Sequence, residues 1–320
     1  MFSPEKKFVV SHAPFWHCGS NLRERSYATL LATLPAVVFG ILQYGIPAIA
    51  VVCLSVSSAI LWEALMNRLM KRPDTVGDGN AALIGIILAM LMPAPTPWWI
   101  VVTGTFIAIV IAKQIFGGIG SNPFNPAALS MAILMVSWTD FFDFDSALRN
   151  YDFGFIAAYP LATLKHFGMD AISGYSLPGL LLGQQAGGIG ATFGIGLIVG
   201  GLYLIARGFI RLEIAAAYLA GVFVTALLFN LSNPAAYAGP FFHLLTGYTL
   251  IAAFFLMPED SSSPVNPVPM ILYGLLGGVM TVLIRNIGAY VDGAIFAVLV
   301  ANLVNPLLDK IRPKALGKVM

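Results

Sequence analysis

The chain has 320 residues, 58% of them hydrophobic and only 10% charged, whereas soluble domains carry about 25% charged residues; it therefore reads as an all-α polytopic membrane protein. A net charge of +2 is too small to point to nucleic acid as a partner. The two cysteines, Cys18 before the first apolar run and Cys53 inside the second, and four scattered histidines offer no ligand set for an iron-sulfur cluster, a thiolate zinc site or a bis-histidine haem.

Residues 1–25 carry Lys6, Lys7, Arg23 and Arg25 against Glu5 and Glu24 and form a basic arm expected to stay in the cytoplasm. They lack the layout of a cleavable signal. A first helix is predicted over about 26–43 and a second over about 46–70, which returns the chain to the basic loop Arg68, Lys71, Arg72. The apolar run 80–92, bounded by Asp78-Gly79 and a proline-rich stretch from Pro93 to Pro97, is too short for a crossing of about 20 residues and reads as a half helix. The next run, Trp98 to Phe116, crosses and passes Lys113. A break from Gly117 to Pro126 then precedes a second short run, 127–138. Irregular backbone between such runs is tolerated only where protein or a cavity satisfies it.

The segment 139–188 is the longest polar stretch and, after five crossings, is expected outside the membrane on the far side from the basic loops. Helix six is predicted over about 189–206, ending at Arg207 and Arg211, helix seven over about 212–231, and helix eight over about 240–257. Helices nine (about 268–284) and ten (about 293–308) lead to a basic tail, 310–320, back inside. Pro97 to Lys113 is the same distance as Pro269 to Arg285, each pair enclosing one helix before a glycine-containing break. About ten transmembrane helices in two inverted five-helix repeats, 26–138 and 189–309, with broken or half helices, follow from this pattern.

Gly187-Gly-Ile-Gly-Ala-Thr-Phe-Gly-Ile-Gly196 is the most informative stretch. Gly187, Gly188 and Gly190 let the backbone bend and approach a bulky group, and Thr192 is the only nucleophilic side chain among them. One reading makes Thr192 a helix cap among close-packing glycines; the other makes its hydroxyl the anchor of a phosphate-bearing cofactor. Asp78 and Asp292 match helix N-caps, and Glu63, Lys113 and Glu213 lie near span ends, where they can snorkel. His243, near the outer end of helix eight, can bond between helices or touch a ligand. Phe124, Phe241, Phe242 and Phe296 can pack or flank a planar ring.

Several strings together resemble one family: Val10-Ser-His-Ala-Pro14, the half helix from Gly79 to Ala89 with Pro93, Lys113 through Pro126, Gly187 to Phe193, Gly239-Pro-Phe-Phe-His-Leu-Leu-Thr-Gly247, and Asp292 to Asn302 with Pro306. The chain is similar to the RnfD membrane component of the Rnf electron-transport complex, itself related to the NqrB component of the sodium-pumping NADH:quinone reductase. The resemblance implies FMN ester-linked through its phosphate to Thr192, attached by a separate flavin transferase. Ile189 and Ala186 depart from the usual transferase target, which has Ser or Thr and often an acid there. It further implies one component of a bacterial inner-membrane translocase, with both termini cytoplasmic, passing electrons between ferredoxin and NAD coupled to Na+ or H+ movement. Iron-sulfur, FMN-bearing and other membrane subunits are its implied partners alongside membrane lipid, and there is room in the scheme for a second, non-covalent flavin such as riboflavin.

Three other functions remain open on sequence: a membrane component of the quinone reductase, which usually has a longer amino-terminal region, a small-solute channel or transporter without flavin, or a purely structural anchor for other subunits with no bound flavin. If the ester-linked phosphate lies near hydrocarbon, donors must converge on it. The amides of the Gly187–Gly190 turn and Arg285, outside by the same topology, are the expected ones, with a simple anchoring role the alternative for Arg285.

Overall fold

The computed structural model describes residues 21–156 and 158–311. Lys6, Lys7, the Val10–Pro14 string, Cys18, and the tail residues Arg312, Lys314 and Lys318 lie outside the described residues. Among those described there is helix and no strand. In chain order the helices are α1 (Leu22–Tyr44), α2 (Ile46–Leu69), α3 (Asn80–Leu91), α4 (Trp98–Phe106, continuing as a π-helix over Ile107–Gln114) and α5 (Pro126–Ser137). Three short helices follow, α6 (Phe144–Ala147), α7 (Pro160–Phe167) and α8 (Leu177–Leu181). Then come α9 (Gly194–Ala206), α10 (Leu212–Ser232), α11 (Pro240–Leu245), α12 (Thr249–Ile251, continuing as a π-helix over Ala252–Leu256), α13 (Pro267–Asn286) and α14 (Ala294–Leu308). Four of these, α1, α2, α10 and α13, are long and apolar enough to cross a membrane by length and composition, and five shorter apolar helices accompany them.

Local chemistry sets the ends. The Asn21 side chain accepts the Glu24 amide at 2.8 Å to open α1, and Gly45 alone separates α1 from α2. The Asp78 carboxylate accepts the Asn80 amide at 2.8 Å before α3, and the Asn125 side chain accepts the Ala128 amide at 3.0 Å before α5, whose first residue is a proline with no amide to lose. At 12 residues each, α3 and α5 span roughly 18 Å, well short of the roughly 30 Å hydrocarbon core, so both are half helices.

The run expected as one helix over 240–257 is instead broken at Thr246-Gly247-Tyr248. Gly247 has φ +66°, a left-handed conformation that ends α11, and the space where a Cβ would sit is occupied by Asp292 and Arg285. Both π stretches show bonds of five-residue spacing, Ile115 N–H to Val110 at 3.0 Å and Met257 N–H to Ala252 at 2.8 Å.

Helices α10 and α13 pack backbone to backbone. A Cβ on Gly274 would stand 2.6 Å from the Ile214 carbonyl oxygen, one on Gly221 2.8 Å from that of Leu275, and the hydroxyls of Tyr218 and Thr281 meet at 2.9 Å. Between lipid-embedded helices, where apolar burial gives no driving force, close approach of this kind and interhelical hydrogen bonds hold the pair. The amino-terminal and carboxyl-terminal halves join where α1 lies on α9 and α5 on α14. At the second seam the Asn125 amide donates to Asn302 Oδ1 at 3.0 Å and Asn125 Nδ2 to the Leu256 carbonyl at 3.1 Å.

Candidate functional site

The stretch from Gln185 to Phe193 is a buried strap rather than the first turns of a helix, and α9 begins only at Gly194, five residues later than expected. The reason lies in where its amides go. Ile189 donates to the Met92 carbonyl and Gly190 to that of Met90, each at 3.0 Å, so the strap satisfies carbonyls that the end of α3 leaves open. Gly187 is held on both sides by Tyr44, whose hydroxyl donates to its carbonyl at 3.0 Å and accepts its amide at 3.2 Å. A Cβ at Gly188 would stand 2.7 Å from the Met90 carbonyl oxygen, and one at Gly190 would overlap the Met90 side chain. The bulky group these glycines admit is thus the end of α3. The expectation that amides of the Gly187–Gly190 turn are free for a phosphate fails at Gly187, Ile189 and Gly190, whose donors are already used.

Thr192 sits two residues before α9, 1% exposed, and its hydroxyl donates to Gln43 Oε1 at 3.1 Å. Its carbonyl accepts from Gln185 Nε2 at 3.2 Å, and the same amide group bridges to the Leu180 and Leu245 carbonyls, tying strap, α8 and α11 together. Thr192 borders a narrow crevice shared with Tyr159, Gly247 and Tyr248, in which no part is wide enough for a water molecule. Small-molecule sites usually hold about 300–1,000 Å³. Among the described residues the hydroxyl has one partner, Gln43, itself only partly buried, and the first turn of α9 has no side-chain cap on its amides, so a phosphate on Thr192 would require Gln43 to move aside. The cavity does not seat the flavin ring, which would have to lie outside it.

Arg285 is not a free cation. Its Nε and Nη2 reach Asp292 Oδ1 at 3.1 and 2.8 Å, with side-chain exposures of 1% and 3%, and its remaining donors go to the carbonyls of His243 and Thr246. Asp292 Oδ1 also accepts the amide of Ala294, the first residue of α14, from one position before the N-cap, which is Gly293 rather than the expected Asp292, and its other oxygen accepts the Tyr248 amide at 2.7 Å and the Tyr159 hydroxyl at 3.3 Å. The expectation that Arg285 compensates a phosphate is therefore corrected: its charge is balanced within the fold, and the pair braces the α11–α12 break from behind Gly247. His243 is fully buried, but its ring faces a different cavity from that of Thr192.

Glu63 and Lys113, expected to snorkel, do the opposite. Lys113 Nζ lies 2.9 Å from both Glu63 oxygens with side-chain exposures of 2% and 0%, and Thr75 donates to Glu63 Oε1 at 2.7 Å. The sequence carries a signal for this, because an ionisable residue within a span calls for a named partner, but nothing in the spacing links positions 50 residues apart. Glu213 stays exposed in the first turn of α10 as expected. The candidate aromatics do not gather round one volume: Phe241 meets Phe223 edge-on and Phe296 lies tilted against Tyr290.

Lys113 lines a partly open cavity of about 130 Å³ where the amino-terminal ends of α3 and α5 converge. Asn80, Asn122 and Glu259 add polar groups to its wall, and Glu259 accepts from Asn122 Nδ2 at 3.0 Å. Arg25, at its rim, pairs with Asp260 and donates to the Phe209 carbonyl.

A family described as NQR2, RnfD, RnfE matches residues 9–317. The chain is 34% identical over 310 residues to the D subunit of the proton-translocating ferredoxin:NAD(+) oxidoreductase complex of Clostridium ljungdahlii, covering 95% of this chain and 94% of that one. It is 34% identical over 348 residues to the D subunit of the ion-translocating oxidoreductase complex of Aeromonas salmonicida, covering 97% and 99%. It is 33% identical over 311 residues to the D subunit of the Na(+)-translocating ferredoxin:NAD(+) oxidoreductase complex of Acetobacterium woodii, covering 96% and 94%.

Proposed function

Because this chain belongs to the NQR2, RnfD, RnfE family, we propose that it is the flavin-carrying membrane subunit of an ion-translocating ferredoxin:NAD oxidoreductase complex, with FMN ester-linked to Thr192. The observation that carries the reading is similarity along nearly the whole chain to the D subunits of such complexes. Relatives named for protons and for Na+ are equally similar, so the coupling ion is not part of the proposal.

A bound flavin supplies the one- and two-electron redox chemistry that no side chain of this protein can perform. The chain's own residues do the holding. Attachment replaces the Thr192–Gln43 contact, the strap keeps Thr192 in place by bonding to α3 and Tyr44, and the uncapped amides of α9 face the phosphate charge. Nucleotide and iron-sulfur chemistry fall to partner subunits, and a flavin transferase carries out maturation.

The basic positions Arg68, Lys71, Arg72, Arg207, Arg211 and Lys310 favour ten spans in two inverted repeats, in a bacterial inner membrane with both termini cytoplasmic. In-gel fluorescence of the denatured protein, purified from a host with the transferase, tests the flavin link. The wild type should give a fluorescent band and Thr192→Val a dark one of equal amount. A dark wild-type band, or a fluorescent variant band, overturns the assignment.

A further inference from the structure

The hydroxyl proposed to carry the flavin is covered. Every residue from Gln185 to Thr192 is buried, and the crevice beside Thr192 admits no water. A transferase has to bring the FMN phosphorus of FAD to this hydroxyl. The Thr192 oxygen then bonds to phosphorus, the phosphoanhydride bond to the AMP half breaks, AMP leaves, and the hydroxyl proton passes to a base of the transferase. A whole enzyme cannot reach an oxygen beside which a single water does not fit.

The outer end of α1 forms the cover. Gln43 accepts the Thr192 hydroxyl and donates to the Gln185 carbonyl at 3.3 Å, the Phe39 ring stacks on Phe193 with centroids 4.4 Å apart, and a Cβ on Gly40 would overlap the Ile189 carbonyl. The strap backbone is anchored on α3, whereas the hydroxyl's one hydrogen bond among the described residues is to α1, so α1 is the part that has to move. Two features allow it. Pro35, inside α1, has no amide to offer the Leu31 carbonyl, which removes one helical bond a turn before Phe39, and Gly45, at φ +71°, is the single residue joining α1 to α2. Between them Val38 and Leu42 are exposed on the helix surface, so an outward swing breaks no packing on that side.

We propose that the segment of α1 between Pro35 and Gly45 is a hinged cover over the acceptor hydroxyl, latched by Gln43, and that the transferase modifies Thr192 only with this cover lifted. Once attached, the phosphate takes the position that Gln43 leaves and keeps the latch open. This rests on Thr192 as the acceptor and extends that reading from which residue is modified to which residues control its modification.

The test uses the full chain, purified in detergent from a host without the transferase and then mixed with FAD and limiting transferase. The initial rate at which a fluorescent band appears in denaturing gels reports attachment, and thermal midpoints report folding. Gln43→Ala, which removes the latch, should attach flavin about 2- to 10-fold faster than wild type, the range expected when opening breaks one hydrogen bond fewer. Phe39→Leu should do the same through loss of the ring stack if the first variant folds poorly. Pro35→Ala, which restores the missing helical bond, should slow attachment by a similar factor. Rates equal to wild type in all three variants overturn the proposal, and so does a slower rate in Gln43→Ala, which would make Gln43 a group that positions the hydroxyl. A dark wild-type band from a host that makes the transferase is a separate outcome, because it overturns the Thr192 link itself and the cover with it.

Discussion

Removing one partner of the Glu63–Lys113 pair should destabilise the protein more than removing both. The ammonium has two contacts of 2.9 Å to the carboxylate, and although Lys113 borders the cavity at the ends of α3 and α5, the side-chain exposures of 2% and 0% leave little surface through which water could replace either. Breaking a buried pair from one side leaves an uncompensated charge and costs about 3–5 kcal/mol. Lys113→Met leaves Glu63 with Thr75 as its only hydrogen-bonding partner, and Glu63→Leu leaves Lys113 with none. Each single variant should therefore lose about 3–5 kcal/mol, whereas the double variant has no buried charge and loses about 1 kcal/mol, because only the Thr75 hydroxyl is left without its acceptor. Equilibrium unfolding in mixed micelles with increasing dodecyl sulfate, followed by circular dichroism, measures all three against wild type. Additive losses in the double variant, or single variants within about 1 kcal/mol of wild type, would refute the buried-pair reasoning.

In the strap, Gly188→Ala should cost about 1–3 kcal/mol by driving a methyl into the Met90 and Leu91 carbonyls, whereas Gly187→Ala, whose nearest neighbour is Thr192 Cγ2 at 3.4 Å, should be tolerated; thermal midpoints of the two variants decide. For topology, in a background with Cys18 and Cys53 replaced by serine, an impermeant thiol reagent applied to spheroplasts should label a cysteine at Ser146 and not one at Lys310. Asp145, whose carboxyl accepts the Tyr159 amide at 2.6 Å, is pushed up from the ordinary carboxylate range chiefly by burial. The native state then holds more protons than the unfolded one between the ordinary and the raised value, so this group's contribution to stability falls as pH rises through that window. Asp145→Asn should flatten that part of the stability–pH profile and raise stability at neutral pH; an unchanged profile would show that the residue is solvated.

The places of the apolar helices are legible in the sequence because run length, proline breaks and the caps at Asp78 and Asn125 are local signals. What is not legible depends on contacts far apart in the chain. The glycines of 187–190 announce a close approach, but only the fold shows that the approaching group is the end of α3, reached across about 100 residues. The same holds for the break at Gly247, where an apolar run that reads as one helix is interrupted because Arg285 and Asp292 occupy the adjoining space. Arg285 reads as a residue facing a ligand because its sequence neighbourhood shows only a cation at a helix end. Asp292, seven residues on, reads as a cap; it lies one residue before the N-cap Gly293, holds the first amide of α14 from there, and serves as counterion as well.

The wide turns of the Ile107–Gln114 stretch also fix an angular phase. Each residue of an ordinary α-helix advances the side-chain direction by about 100°, so a helix that winds more slowly for two turns delivers its far end at a different azimuth from a regular one. Lys113 lies at that far end, and its direction is what meets Glu63. Deleting one residue from the regular turns before it, such as Val102, with the wide turns kept, would swing the ammonium by about 100° around the axis, toward lipid or the neighbouring backbone. The chain would keep every charge it has and lose their alignment, so for this pair the count of residues between Pro97 and Lys113 matters as much as their identity.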